Sequence, residues 1–122
     1  MDVHHPPERA DKQQAELWLL LLNIRNHLIS MTPGTIGLAD HNQAHAREVF
    51  RTAIRENCCR IILAHNHPSS DPMPSPQAVE CTRGMVTADR LIGIEVMDHV
   101  VIGVRTPSRD RDYVSLRALN LM

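Results

Sequence analysis

The sequence predicts one mixed α/β domain, on three observations. Apolar runs of strand length recur along the chain, at Glu16 to Ile24, Cys58 to Ala64 and Ile94 to Val104. Between and after them lie two longer stretches with apolar residues at helical spacing, Ala44 to Asn57 and Ser75 to Ile92. The chain has 122 residues, enough to bury about two-thirds of its unfolded surface in a single core without disulfides.

The elements follow in order. Residues 1–14, MDVHHPPERADKQQ, are polar, contain proline and show no apolar periodicity, so they read as a flexible tail ahead of a domain spanning 15–122. Glu16 to Ile24 (ELWLLLLNI) lacks polar alternation, the pattern of a strand covered on both faces; a buried helix shares that pattern, and the short length selects strand. Asn23 to Asn26 reads as a turn into a second strand, Leu28 to Met31, and Pro33-Gly34 as a turn before a weaker strand around Thr35 to Leu38. In Ala44 to Asn57 the residues Val49, Phe50, Ala53 and Ile54 form an apolar face, with Arg47, Glu48, Arg51 and Arg55 around the rest. Cys58 to Ala64 returns to strand. Ser75 then Pro76 reads as an N-cap and first helical position, Val79, Met85, Val86, Ala88 and Leu91 carry the second helix, and Gly93 ends it. Ile94 to Val104 is rich in β-branched residues, and a polar loop, Thr106 to Asp112, leads to a last short element in Tyr113 to Met122.

The stretch with chemical content is AHNHPSSDPMPSP, Ala64 to Pro76. In an extended segment residues i and i+2 point the same way, so His65 and His67 can offer ring nitrogens to one cation. Pro68 holds His67 out of helical conformation, and Ser75 stands where a helix begins. A hydrolytic zinc site needs three protein donors, an open position for water, a base and an oxyanion donor. His65 and His67 supply two metal donors, and Ser75 either donates toward an oxyanion or simply caps the helix.

Composition excludes several classes. The net charge of −1 provides no pull toward polyanions, although Lys12 is the one lysine among the 13 basic residues and the arginines suit bidentate contacts to carboxylate or phosphate. Nucleic acid is thus a possible but unsupported partner. Cys58, Cys59 and Cys81 are an odd count without framework spacing, and no secretory apolar stretch opens the chain, which together point to the cytoplasm. The longest apolar run, Leu17 to Leu22, is far short of the roughly 20 residues that span a bilayer, so no membrane association is expected. If that run lies at a sheet edge, it offers a surface for a homodimer.

The motif HNHPSSDPMPSP, followed by a helix and then LIGIEVMDHVVIG, resembles the RadC-like branch of the JAB/MPN metallopeptidase family, marked by the JAMM motif. The likeness runs from about Leu17 through AREVFRTAIRENCCRIILAHNHPSSDP to YVSLRALNLM. It implies a three-layer α-β-α fold, cytidine deaminase-like, with a mixed curved sheet. Longer RadC-like proteins carry a helical DNA-associated region before this domain; the length here leads us to expect the bare catalytic-type domain.

The resemblance implies zinc as cofactor, with His65 and His67 as metal ligands and Ser75 as a catalytic residue. The family's third ligand, an aspartate, falls on Ala78, which has no lone pair to offer. Its catalytic glutamate falls near Met31 or Thr32, and no acid occurs between Glu16 and Asp40. Asp71 in the loop is not a ligand in the family pattern, Cys81 would make a shifted His-His-Cys site or a small buried hydrophobe, and Glu80 points to another side of its helix. Cys58 and Cys59, some 20 Å from His65 along their strand, read as packing residues. His45 and His99 match family positions near the site and are expected to make structural hydrogen bonds, with Asp98 a candidate to orient the His99 ring. His4, His5, His27 and His41 read as surface residues, and Asn120 stands where the family commonly has glycine in a left-handed conformation. The expected function is a JAB domain related to zinc metallopeptidases and isopeptidases but with a degenerate site. The alternatives are an active zinc peptidase using a substituted ligand and a DNA-repair-associated protein-binding module.

Overall fold

A computed structural model describes residues 16–34, 42–66, 73–103 and 112–122, with the side chains of 42–45 left aside. The tail at 1–14, the weak strand at Thr35 to Leu38, and His67 with the loop that follows it lie outside the described residues.

The chain runs β1 (Leu17–Leu22), β2 (Leu28–Pro33), α1 (Asn42–Arg55), β3 (Arg60–Asn66), α2 (Pro76–Ile92), β4 (Glu95–Ile102) and β5 (Tyr113–Ser115). The strands form one mixed sheet in the order β2-β1-β3-β4-β5. β1 pairs antiparallel with β2 and with β3, β3 pairs parallel with β4, and β5 is antiparallel to β4. The parallel step needs a crossover, and α2 supplies it between β3 and β4. This is the mixed α/β single domain that the sequence predicts.

Cross-strand partners share a face, so register shows what each face carries. Leu19 stands opposite Leu63, Leu21 opposite Ile61, and Ile61 opposite Val96. These five residues join Val49, Phe50 and Ala53 of α1 and Met85 of α2 in one buried cluster, so both helices pack on the same face of the sheet. Two of the apolar helix positions face solvent. Ile54, about 100° round the helix from Ala53, and Leu91, about 120° from Met85, are both exposed.

The sheet order decides where LWLLLL lies. β1 lies between β2 and β3, where hydrogen-bonded neighbours on both sides suit its unbroken apolar pattern. Among the described residues β2 is the edge. It runs two residues beyond the predicted Met31 to end at Pro33, a residue that sheets accept on edge strands, and its Leu28 and Ile29 are 54% and 43% exposed.

Local signals act where they were read. Ser75, at φ −74° and ψ 157°, caps α2 by accepting from the Ala78 N–H, and Pro76 follows at the first helical position. Gly93 closes the helix at φ 83°, its N–H donating to the Asp89 carbonyl. Asn120 has φ 59°, the left-handed conformation expected of it. No described helix is long and apolar enough to cross a membrane.

Candidate metal and histidine site

His65 sits on the second-last residue of β3, opposite Leu17 on one side and Val101 on the other. His99 stands on β4 opposite Leu63. The two histidines are therefore diagonal neighbours on one face, the face that the helices cover. Their rings meet edge to face with centroids 4.7 Å apart, and His65 Nδ1 lies 2.6 Å from His99 Nε2.

From above, α2 adds a third member. Thr82 is fully buried, its Oγ1 is 2.6 Å from His99 Nδ1, and the same hydroxyl donates to the Ala78 carbonyl at 2.9 Å. Ser75, Ala78 and Thr82 are spaced by three and then four residues, so they share a face of the helix, and the Thr82 contact shows that this face looks at His99. A carboxylate at position 78 would stand on the side of the histidines; the alanine methyl there can hold nothing.

The positions that the resemblance gives to a catalytic glutamate hold Met31 and Thr32. Thr32 pairs with Leu19, which pairs with Leu63, which pairs with His99, so Thr32 lies on the histidine face. Met31, paired with Leu20, points to the opposite face. Thr32 Oγ1 is in hydrogen-bond contact with Ser30 Oγ at 3.3 Å. An alcohol is far too weak a base at neutral pH to take a proton from water.

Ser75, Cys81 and Cys58 lie among the described residues. Ser75 Oγ accepts from Ala78 N at 3.1 Å, which is the cap geometry. Cys81 packs against the core cluster, and burial pushes its thiol above the ordinary value, which opposes the thiolate that a cation requires. Cys58 is buried at the end of α1, far from the histidines along β3, and its thiol is likewise raised, chiefly by burial. Among the described residues no three His, Cys, Asp or Glu side chains come together in a metal-binding group. His67, Asp71 and the side chain of His45 lie outside the described residues.

The pairing of Asp98 with the His99 ring is corrected. Asp98 Oδ1 accepts from the backbone N–H groups of His99 and Arg117 at 2.7 and 3.2 Å, and Oδ2 accepts from the Ser115 hydroxyl at 2.7 Å. Asp98 and His99 are consecutive on a strand, so their side chains point to opposite faces, and the carboxylate ties β4 to the C-terminal segment instead.

Two contributors went unread in the sequence. Thr82 belongs to no motif named above, although its spacing from Ser75 and Ala78 was a usable signal. Asn66, the residue between the two histidines, is fully buried; its Oδ1 accepts from the Glu16 N–H at 2.5 Å, and its own N–H donates to the Glu16 carbonyl at 3.3 Å. That double contact ties the end of β3 to the chain entering β1 and so holds His65 in place.

With this geometry in view, comparison with known proteins is decisive: residues 3–121 match the RadC-like JAB domain. The chain belongs to that family. A "UPF0758 protein" of Symbiobacterium thermophilum is 45% identical over 97 residues, covering 80% of this chain and 42% of the relative. Another from Enterococcus faecalis is 39% identical over 113 residues, 93% of this chain and 46% of its own length. A third, from Desulforudis audaxviator, is 39% identical over 100 residues, 82% and 41% respectively. The JAB domain described here thus spans less than half the length of these relatives.

Proposed function

We propose that this chain is a degenerate JAB domain that binds a protein or peptide and does not hydrolyse one. The reading is carried by the residue at position 78, where the helix face turned toward His99 offers a methyl group in place of a carboxylate. The hydroxyl of Thr32 on the same side of the sheet supports it. Zinc hydrolysis needs a third donor and a base, and these residues do not fit that requirement. Ser75 then remains a helix cap, with no oxyanion to serve.

Among the described residues the surface best suited to a partner is the β2 edge. It carries no charged residue from Leu28 to Pro33 and exposes Leu28 and Ile29, so an extended segment, including one from a second copy, can add to it as a further strand. The near-neutral net charge weighs against nucleic acid, because phosphate neutralisation supplies most of that affinity.

The test is the zinc content of protein purified without added metal, beside a His67→Ala variant. Near-zero zinc in both supports the binding module. Stoichiometric zinc that disappears on substitution would overturn it in favour of a peptidase with a substituted ligand.

A further inference from the structure

β4 breaks the alternation of a strand once. Val96 and His99 are three residues apart, an odd spacing that puts side chains on opposite faces of a regular strand, yet Val96 joins the helix-covered core and His99 meets Thr82 of α2. The register supplies the reason. Ile61 pairs with Val96 but Ile62 pairs with Asp98, so Met97 is an extra residue, a β-bulge. Without it, the alternation that starts at Val96 would turn Asp98 toward the helices and His99 away from them.

Arg117 closes round this bulge. β5 ends at Ser115, and one residue further on the Leu116 N–H donates to the His99 carbonyl at 3.0 Å. The Arg117 guanidinium then reaches two successive carbonyls of β4: Nε donates to that of Met97, and Nη2 to that of Val96 at 3.3 Å. Successive carbonyls of a regular strand point to opposite edges, and one planar fork reaches both here because the bulge turns them to the same side. The backbone N–H of Arg117 also donates to Asp98 Oδ1, at 3.2 Å, on the face away from the helices.

We infer that Arg117 is a positioning residue: by holding the Met97 bulge it sets which side chain β4 presents beside His65, and so places the His99 ring there instead of the Asp98 carboxylate. Bulged carbonyls are out of register with a regular ladder, so a further straight strand could not supply these donors, whereas a long side chain can. The inference concerns the parity of β4 and stands whether or not the domain holds a metal or hydrolyses a bond.

The nuclear Overhauser cross-peak between the carbon-bound ring protons of His65 and His99 reads this geometry, since the ring centroids are 4.7 Å apart. The unmodified chain is expected to show it. Arg117→Ala is expected to lose it, and to regain it when millimolar guanidinium ion is added to fill the vacated place at the surface. Val49→Ala, a core substitution on α1, is expected to keep the cross-peak at an equal or greater loss of stability. A cross-peak of parent strength in Arg117→Ala overturns the inference, as does a loss that guanidinium fails to restore or one that Val49→Ala shares. Should Arg117→Ala not fold, Arg117→Lys decides, because its compact ammonium keeps the charge without the fork. A weakened cross-peak there supports the inference, and one of parent strength overturns it.

Discussion

Ala78 differs from an aspartate by one carboxylate, and the difference reaches beyond the site. The first turn of α2 contains no acid, so its free N–H groups lack a compensating charge. Ala78→Asp is expected to raise zinc affinity by at least about 10-fold, judged against the 10–100-fold that even an outer-shell partner contributes. The same change should stabilise the helix by about 0.3–1 kcal/mol. Zinc titration and urea unfolding on one sample check the two effects separately. Cys58 makes the residue-scale case for pH. Its thiol is raised above the ordinary 9.0, first by burial and then by the neighbouring Cys59 and Glu56, against a lowering by backbone hydrogen bonds. As pH climbs past the ordinary value the unfolded thiol ionises while the folded one keeps its proton. The unfolded state then binds fewer protons, and stability falls. Urea midpoints should therefore drop between pH 8 and pH 10, and drop less in Cys58→Ala.

At the level of elements, α2 shows how much a few terminal residues control. Ser75 satisfies an N–H at the start, Pro76 gives up none that is needed, and Gly93 accepts a left-handed conformation at the end. Ser75→Ala should cost about 1 kcal/mol of stability, measured by urea unfolding. If Ser75 acts only as a cap, zinc content will not change with it. β1 and β2 show the opposite situation, in which pattern alone leaves the place in the sheet open. An apolar run such as LWLLLL suits a central strand or a sticky edge equally well. The pairing with β3 along its whole length puts it in the centre and leaves the less apolar LISMTP at the margin.

For the whole molecule, the core and the histidine site are one structure. Leu63 is fully buried at the middle of the helix-covered face, between Leu19 on β1 and His99 on β4. Leu63→Ala should destabilise the domain by about 2–5 kcal/mol in urea unfolding. Because the cavity would open beside His99, the exchange of the His99 ring protons should quicken in the same variant. A purely remote core substitution, such as one at Ile94, should leave that exchange unchanged at equal loss of stability.

Much of this was legible in the chain. Element types and order follow from hydrophobic period, since a period near two or near 3.6 is a local property of backbone geometry. Ser75, Gly93 and Asn120 were readable because caps and left-handed turns restrict residue type within a few positions. That Ala78 stands where the family pattern has an aspartate was visible because a motif fixes its own spacing. Sheet order was not legible, and neither was the Thr82–His99–His65 chain, whose members lie 17 and 34 residues apart. Nor was the turn of Asp98 away from the ring beside it, which followed only once β4 had a face to the helices and a face away from them. Local preference therefore determined what the segments are, and the burial of one common sheet face decided which of their polar groups meet: hydrogen-bond partners distant in sequence are selected only when packing removes them together from water.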